Sequence, residues 1–248
     1  MNNSPKAMNN KTAIITGISG DIGKAIAYML DKEGYEIIGF YNTDKESTKE
    51  LSATLSNPCH FYQADMADME ALIKRLNNIK DNFGNTTLLI NNAGLSIVGE
   101  LRDLTIDNWQ KIWNVNVSST IFMSQFVTPI MLQNGGGHII NISSVWGNRG
   151  ASCESAYSAT KGAIDSFTKA YAKELAPSHI QVNAIAPGYI DTKMNSHLDQ
   201  EDVNSIIEEI PANRLGQPED VADAISGLLK AGNYITGQII SVDGAWQV

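Results

Sequence analysis

Tyr157 and Lys161 stand four residues apart in Tyr157-Ser158-Ala159-Thr160-Lys161. On a helix that spacing sets both side chains on one face. A lysine ammonium beside a phenol lowers the phenol pKa from about 10 toward neutrality, which equips a tyrosine to give or take a proton. The pattern by itself is cheap. A chain of 248 residues with 8 tyrosines supplies about half such a match by chance. Two more occur here, Tyr28 with Lys32 and Tyr41 with Lys45. A second patch of chemistry is Thr16-Gly17-Ile18-Ser19-Gly20-Asp21-Ile22-Gly23. Glycines ahead of a helix let the backbone approach a pyrophosphate, which rests on the free N–H groups of the helix N-terminus. Without a ligand the same segment is a tight strand-to-helix turn.

These residues need elements to hold them. Short apolar runs read as strands at Ala13–Ile15, Ile37–Phe40, His60–Tyr62, Leu88–Ile90, Ile139–Ile142, Val182–Ile185 and Ile239–Val242. Near-continuous apolar runs suit strands covered on both faces. Between the first two, Ile22, Ala25, Ile26, Met29 and Leu30 recur at helical spacing, as do Ile164, Phe167, Tyr171 and Leu175 later. Strand and helix in alternation imply right-handed crossovers and a doubly wound parallel sheet with helices on both faces, an α/β Rossmann architecture. Such a sheet binds its ligand at the carboxyl ends of the strands. The glycine loop follows the first strand and Ser144 follows the fifth. No linker divides the chain, so one domain is expected over residues 11–248, after a disordered leader over residues 1–10.

Composition narrows the partners. The net charge is −9, without clusters of Lys and Arg, which disfavours nucleic acid and anionic membrane surfaces. No unbroken apolar run reaches ~18 residues, so no membrane span is expected. The first ten residues lack the apolar core of a signal peptide. Cys59 and Cys153 read as free thiols of a reducing, cytoplasmic compartment. No metal site is expected.

With the motifs in place, the chain resembles the short-chain dehydrogenase/reductase family over residues 10–248. Its glycine loop is similar to the family's Thr-Gly-x-x-x-Gly-x-Gly, with Gly17 and Gly23 matching the first and third glycines and Asp21 replacing the second. Asp21 is expected to face outward, with Gly20 supplying slack. The resemblance implies cofactor contacts from Gly17, Ser19, Gly20, Asp21, Ile22 and Gly23. It adds Asp65 and Met66 beside the adenine, and Asn92, Ala93 and Gly94 of the Asn-Asn-Ala-Gly motif. The stretch Pro187, Gly188, Ile190 and Thr192, in a Pro-Gly-x-x-x-Thr motif, meets the nicotinamide. That stretch leads into a covering segment at about 194–210. Asp65 also reads as a helix N-cap for residues 66–73. At the end of the second strand, Tyr41 takes the position where NAD enzymes carry an acid. Asn42 and Thr43 follow and Lys45 is near, which favours NADP(H) over NAD(H).

The family places a serine thirteen residues before its tyrosine. Only Tyr157 has one, Ser144; the same offset from Tyr28 and Tyr41 finds Ile15 and Tyr28. Asn116 matches the fourth catalytic member, holding a water that links Lys161 to solvent. The resemblance therefore implies hydride transfer to a ketone whose oxygen is held by Ser144 and protonated by Tyr157, with Lys161 on the ribose. The run Arg214–Ala222 and the ending Thr236–Gly244 look like bacterial 3-oxoacyl-acyl-carrier-protein reductases. Trp146–Glu154 with Lys193-Met194-Asn195 looks like elongation factor P 5-aminopentanone reductases, and Trp146 and Glu154 become substrate contacts. Both substrate classes stay open. A non-catalytic dinucleotide-binding regulator on the same fold is the third reading, against which the full set of Asn116, Ser144, Tyr157 and Lys161 speaks. The resemblance also implies a homotetramer.

Overall fold

A computed structural model describes residues 11–195 and 199–246; the expected leader lies outside the described residues. Seven strands form one parallel sheet: β1 Thr12–Thr16, β2 Glu36–Tyr41, β3 Cys59–Gln63, β4 Thr86–Asn91, β5 Gly137–Ile142, β6 Ile180–Pro187 and β7 Ile239–Val242. Their order is β3-β2-β1-β4-β5-β6-β7. The order reverses between β1 and β4, opening a crevice at their carboxyl ends. Each apolar run read from the sequence falls inside one of these strands. Every residue of β1 and β6 is buried, as strands covered on both faces require.

Alternation divides the core into two layers. Ala13, Ile15, Ile37 and Ile90 face α1 (Asp21–Lys32) and α9 (Pro218–Lys230). Ile14, Ile38, Leu89 and Ile139 face the other way. That second layer holds residues of α3 (Met69–Ile79), α5 (Ser119–Gln133) and α7 (Ser155–Leu175). Three more helices, α2 (Lys45–Thr54), α4 (Ile106–Trp113) and α8 (Gln200–Glu209), and the single turn α6 (Trp146–Arg149), complete the described set.

One expectation needs correction. Asp65 does not cap a helix. α3 begins at Met69, and Asp68 caps it by accepting the Ala71 N–H at 3.0 Å, while Asp65 accepts the Ala67 N–H within the preceding turn. One helix is long for a fold of this size. Helical geometry runs unbroken from Ile106 to Gln133, 28 residues, apolar enough by composition to cross a bilayer. Half of its most apolar stretch is buried within the fold, with Met123, Val127 and Met131 fully enclosed, so it is a core helix here.

That long run is not uniform. Between α4 and α5, residues Asn114–Ser118 form a π-helical segment in which the Ser119 N–H donates to the Asn114 carbonyl five residues back. The bulge turns Asn116 inward, where it is only 2% exposed. π-Bulges of this kind concentrate at functional sites.

Candidate active site

A cavity of about 800 Å³ opens at the carboxyl ends of the strands, within the range of small-molecule and cofactor sites. Its floor is the glycine loop between β1 and α1. Gly17 has φ +67°, and a Cβ there would come within 2.9 Å of the Ala93 backbone. A Cβ at Gly23 would lie 2.4 Å from the Gly17 carbonyl. These positions admit only glycine, and the bare backbone leaves the N-terminus of α1 open to an anion. Gly20 differs from expectation. It is the exposed N-cap of α1 with an ordinary φ of −76°, and a Cβ would meet nothing nearer than 3.5 Å, so no slack is taken from it. Asp21 differs as well. Its carboxylate is not turned away to solvent but accepts the Lys193 backbone N–H at 2.8 Å, tying the glycine loop to the segment after β6.

The Asn-Asn-Ala-Gly stretch braces this floor. The N–H groups of Asn92 and Ala93 both donate to the Thr16 hydroxyl at 3.0 Å. The Asn92 side-chain amide donates to the carbonyls of Thr16 and Gly17 at 3.1 Å. Ser19, Gly20, Ile22, Tyr41, Asn42, Asp65, Met66, Gly94, Pro187, Gly188, Ile190 and Thr192 also line the cavity. Thr43 is exposed and outside that lining. No carboxylate stands at the end of β2, where Tyr41 is buried. The glycine cradle, the free helix terminus and the length of the cavity fit a nicotinamide dinucleotide.

Ser144, Tyr157 and Lys161 meet on one wall. Ser144 follows β5 directly. Tyr157 and Lys161 lie one turn apart on α7, with the Lys161 Nζ 5.4 Å from the Tyr157 ring centre. The Ser144 side chain stands close enough to the Tyr157 hydroxyl to favour its ionised form. Lys161 is 4% exposed and donates to the Ile142 carbonyl at 2.8 Å. Asn116 makes three side-chain hydrogen bonds: its Oδ1 accepts the Leu95 N–H, and its Nδ2 donates to the Leu95 carbonyl and the Thr160 hydroxyl. Neither decoy pair meets a comparable partner. Tyr28 is exposed and accepts from Thr54, and Lys32 and Lys45 face solvent.

The electrostatics correct one expectation. Burial pushes the Tyr157 phenol up, Ser144 opposes it by hydrogen bonding, and Glu154 adds to the rise. The lysine does not bring the phenol down in this state. Burial also pulls Lys161 down to about 8, against the negative charge of Asp165. Desolvation acts on both, disfavouring each charged form.

At the end of the cavity away from the glycine loop, Trp146, Tyr189, Ser96 and Glu154 line the wall, and Trp246 packs against the two aromatic rings from outside the lining. Trp146 meets Trp246 edge-on at 5.0 Å, and Tyr189 meets Trp246 at 5.4 Å. The Ser96 hydroxyl donates to the Glu154 carboxylate. Of these, the sequence pointed to Trp146 and Glu154. Tyr189 lies inside the Pro-Gly-x-x-x-Thr motif and could have been found there, whereas nothing local marked Ser96 or Trp246. In the expected covering segment, α8 is capped by Asp199 and reaches Glu209, which accepts the Trp246 indole N–H at 3.3 Å; residues 196–198 lie outside the described residues.

The family model for short chain dehydrogenases matches residues 11–203. The chain belongs to the short-chain dehydrogenase/reductase family. Within it, the chain is 40% identical over 242 residues to the uncharacterized oxidoreductase YmfI of Bacillus subtilis, covering 96% of this chain and 99% of that one. It is 32% identical over 241 residues to the 3-oxoacyl-[acyl-carrier-protein] reductase FabG of Thermotoga maritima, covering 96% and 98%. Among solved structures, a Beutenbergia cavernae protein named as an NAD(P)-dependent gluconate 5-dehydrogenase, with NADP bound at low occupancy, superposes with a TM-score of 0.88. It shares 31% identity, and the match covers 98% of this chain and 99% of that one. As a short-chain dehydrogenase/reductase, the protein is an NAD(P)-dependent oxidoreductase acting between alcohol and carbonyl.

Proposed function

We propose that this protein is an NADPH-dependent carbonyl reductase in which Tyr157 protonates the oxygen of a substrate ketone. The convergence of Ser144, Tyr157 and Lys161 opposite the glycine loop carries the reading. A nicotinamide dinucleotide bound along that loop supplies the hydride. Ser144 holds the ketone oxygen by its hydroxyl. Tyr157, kept protonated by burial, donates to that oxygen as negative charge develops. Lys161 binds the ribose hydroxyls and presents its charge beneath the phenol. Asn116 holds the bulged junction beside Thr160, one residue from Lys161, and orders a water through which Lys161 is reprotonated. The absence of an acid at Tyr41, with Asn42 beside it in the cavity wall, supports a 2′-phosphate and hence NADP(H) over NAD(H).

The substrate reading with the widest support is a 3-oxoacyl group on a carrier thioester, by likeness to the FabG relatives. Glu154 and the aromatic wall of Trp146 and Tyr189 favour a second reading, a ketone on a chain bearing an amine, such as aminopentanone-modified elongation factor P. A carboxylate pairs with an ammonium, and aromatic faces attract one. We place the protein in the cytoplasm as a homotetramer; the exposed Ile121, Phe122 and Leu132 of α5 support the assembly.

One experiment tests all of this. NADPH oxidation is followed with an acetoacetyl carrier thioester and with the modified elongation factor, using wild type and Tyr157→Phe. Turnover of either ketone, lowered at least ~100-fold in the variant, is the expected result. Equal rates in the two proteins would sink the assignment of Tyr157. Selective turnover of one ketone decides the substrate.

A further inference from the structure

We propose that Asp165 is a positioning residue for this site: it fastens the Ser143–Ser144 turn to α7 and keeps a negative charge beside Lys161. The inference rests on the carbonyl-reductase reading above. Asp165 is 8% exposed, an uncommon place for a carboxylate. It lies one helical turn beyond Lys161 and two beyond Tyr157, on the same helix. Its Oδ1 accepts the Ser143 hydroxyl at 2.5 Å, the length of a charge-assisted bond. Ser143 is the residue next to Ser144 and is itself 2% exposed. One bond thus registers the end of β5, which carries the serine, against the helix that carries the tyrosine and the lysine.

The packing around Asp165 is too close to be incidental. A Cβ at Gly147 would lie 2.8 Å from Asp165 Oδ2 and 2.9 Å from the Lys161 carbonyl carbon. Glycine at that position lets α6 close over the carboxylate. Behind it is a second cavity of about 300 Å³, lined by Ser144, Asp165, Arg149 and Lys169. The titratable groups lining the two cavities that flank this stretch of α7 include Asp165 and Lys169 on α7, Arg149 on α6, Glu154 just ahead of α7, and the neutral Tyr157 phenol. Among them Asp165 opposes the fall that burial imposes on Lys161. Burial raises Asp165 too, and the Ser143 hydroxyl, Lys169 and Lys161 hold it down.

Two near-isosteric variants separate charge from hydrogen bond. Asp165→Asn keeps an acceptor for Ser143 and removes the charge. Ser143→Ala keeps the charge and removes the bond, which also weakens Asp165 as an anion. NADPH binding is titrated by fluorescence from pH 6 to 10 on the full chain, and ketone turnover is measured beside it. Binding weakens as Lys161 loses its proton. In Asp165→Asn the midpoint should fall by about one pH unit, and in Ser143→Ala by less. Turnover should fall about tenfold in each, at a KM for NADPH within about twofold of wild type for Ser143→Ala. Should Asp165→Asn not fold, Ser143→Ala carries the same two readouts alone. A binding titration that overlays the wild type, or lowered melting temperature with unchanged turnover and titration, overturns the proposal and leaves Asp165 a packing residue. The binding arm decides the matter even if no ketone is reduced, whereas loss of the carbonyl-reductase reading shows only in the wild-type turnover.

Discussion

At the scale of single residues, Lys161 sets the working pH. Its pKa of about 8 lies well below the ordinary lysine value because burial disfavours the ammonium. In the proposed mechanism the charged form is the one that binds ribose and supports Tyr157. The kcat/KM for ketone reduction should therefore fall above pH 8, which a pH–rate profile reads directly. Stability moves the other way. Between about 8 and 10.5 the unfolded chain binds a proton that the folded chain does not, so unfolding becomes harder across that window. Loss of activity without loss of structure is the signature. Gly20 permits a second test. It is exposed, with room for a side chain, beside the cavity end where a 2′-phosphate would sit. Gly20→Arg should raise the preference for NADPH over NADH about tenfold, the size of one charge-assisted contact, measured as the ratio of KM values. The motif positions were legible in sequence because the family resemblance supplies the offset that selects Ser144 for Tyr157. The partner of Asp21 was not, because Lys193 is 172 residues away along the chain. Asp165 was missed for a related reason: a charged residue on a helix reads as surface until the fold buries it.

At the scale of elements, apolar runs located all seven strands: the central ones are apolar because they are covered on both faces, while the edge strands β3 and β7 are only partly buried. Helix ends were harder. Asp65 and Asp68 are both acids ahead of α3, and only the turn geometry decides which one caps it. The short turn α6 and the helix α8 carried no periodic signal strong enough to place. Some braces join elements by side chains that no pattern predicts. Asp31, at the end of α1, accepts the N–H groups of Ser56 and Asn57 ahead of β3 at 2.8–3.0 Å. Burial pushes its carboxyl up, but those N–H groups prevail and hold it below the usual range. The brace is thus at full strength at neutral pH and is lost in acid. Asp31→Ala should cost about 1–2 kcal/mol, since it removes charge-assisted bonds from part-buried donors; urea denaturation measures it.

At the scale of the whole molecule, the large apolar residues left on the described surface are scattered, at Val98, Leu101, Met194 and Tyr234 among others. Ile121 and Phe122 of α5 are 38% and 37% exposed, and Ile106 at the start of α4 is 73% exposed. The proposed homotetramer would cover Ile121 and Phe122. On that proposal a charge there is incompatible with a dry interface, so Phe122→Asp should yield smaller species than wild type in sedimentation with the fold intact. The substrate wall is the part of the site that sequence reading could not assemble. Trp146, Tyr189 and Trp246 come from three separate stretches, joined only because β5, β6 and β7 lie side by side.

The π segment at Asn114–Ser118 bears on how this chain tolerates change by insertion and deletion. A π turn holds one residue more than the α turn it replaces, and each residue of an α-helix advances the helix by about 100°. Removing a single codon within the segment would let α4 and α5 run on as one regular helix, with a gain in local regularity. The core contacts of Met123, Val127 and Met131 could be kept, yet Asn116 would no longer be aimed at Thr160 and Leu95. On the proposed mechanism a single-residue deletion within the segment should keep the fold and lose ketone turnover, so length at this one junction constrains the chemistry more than it constrains the fold.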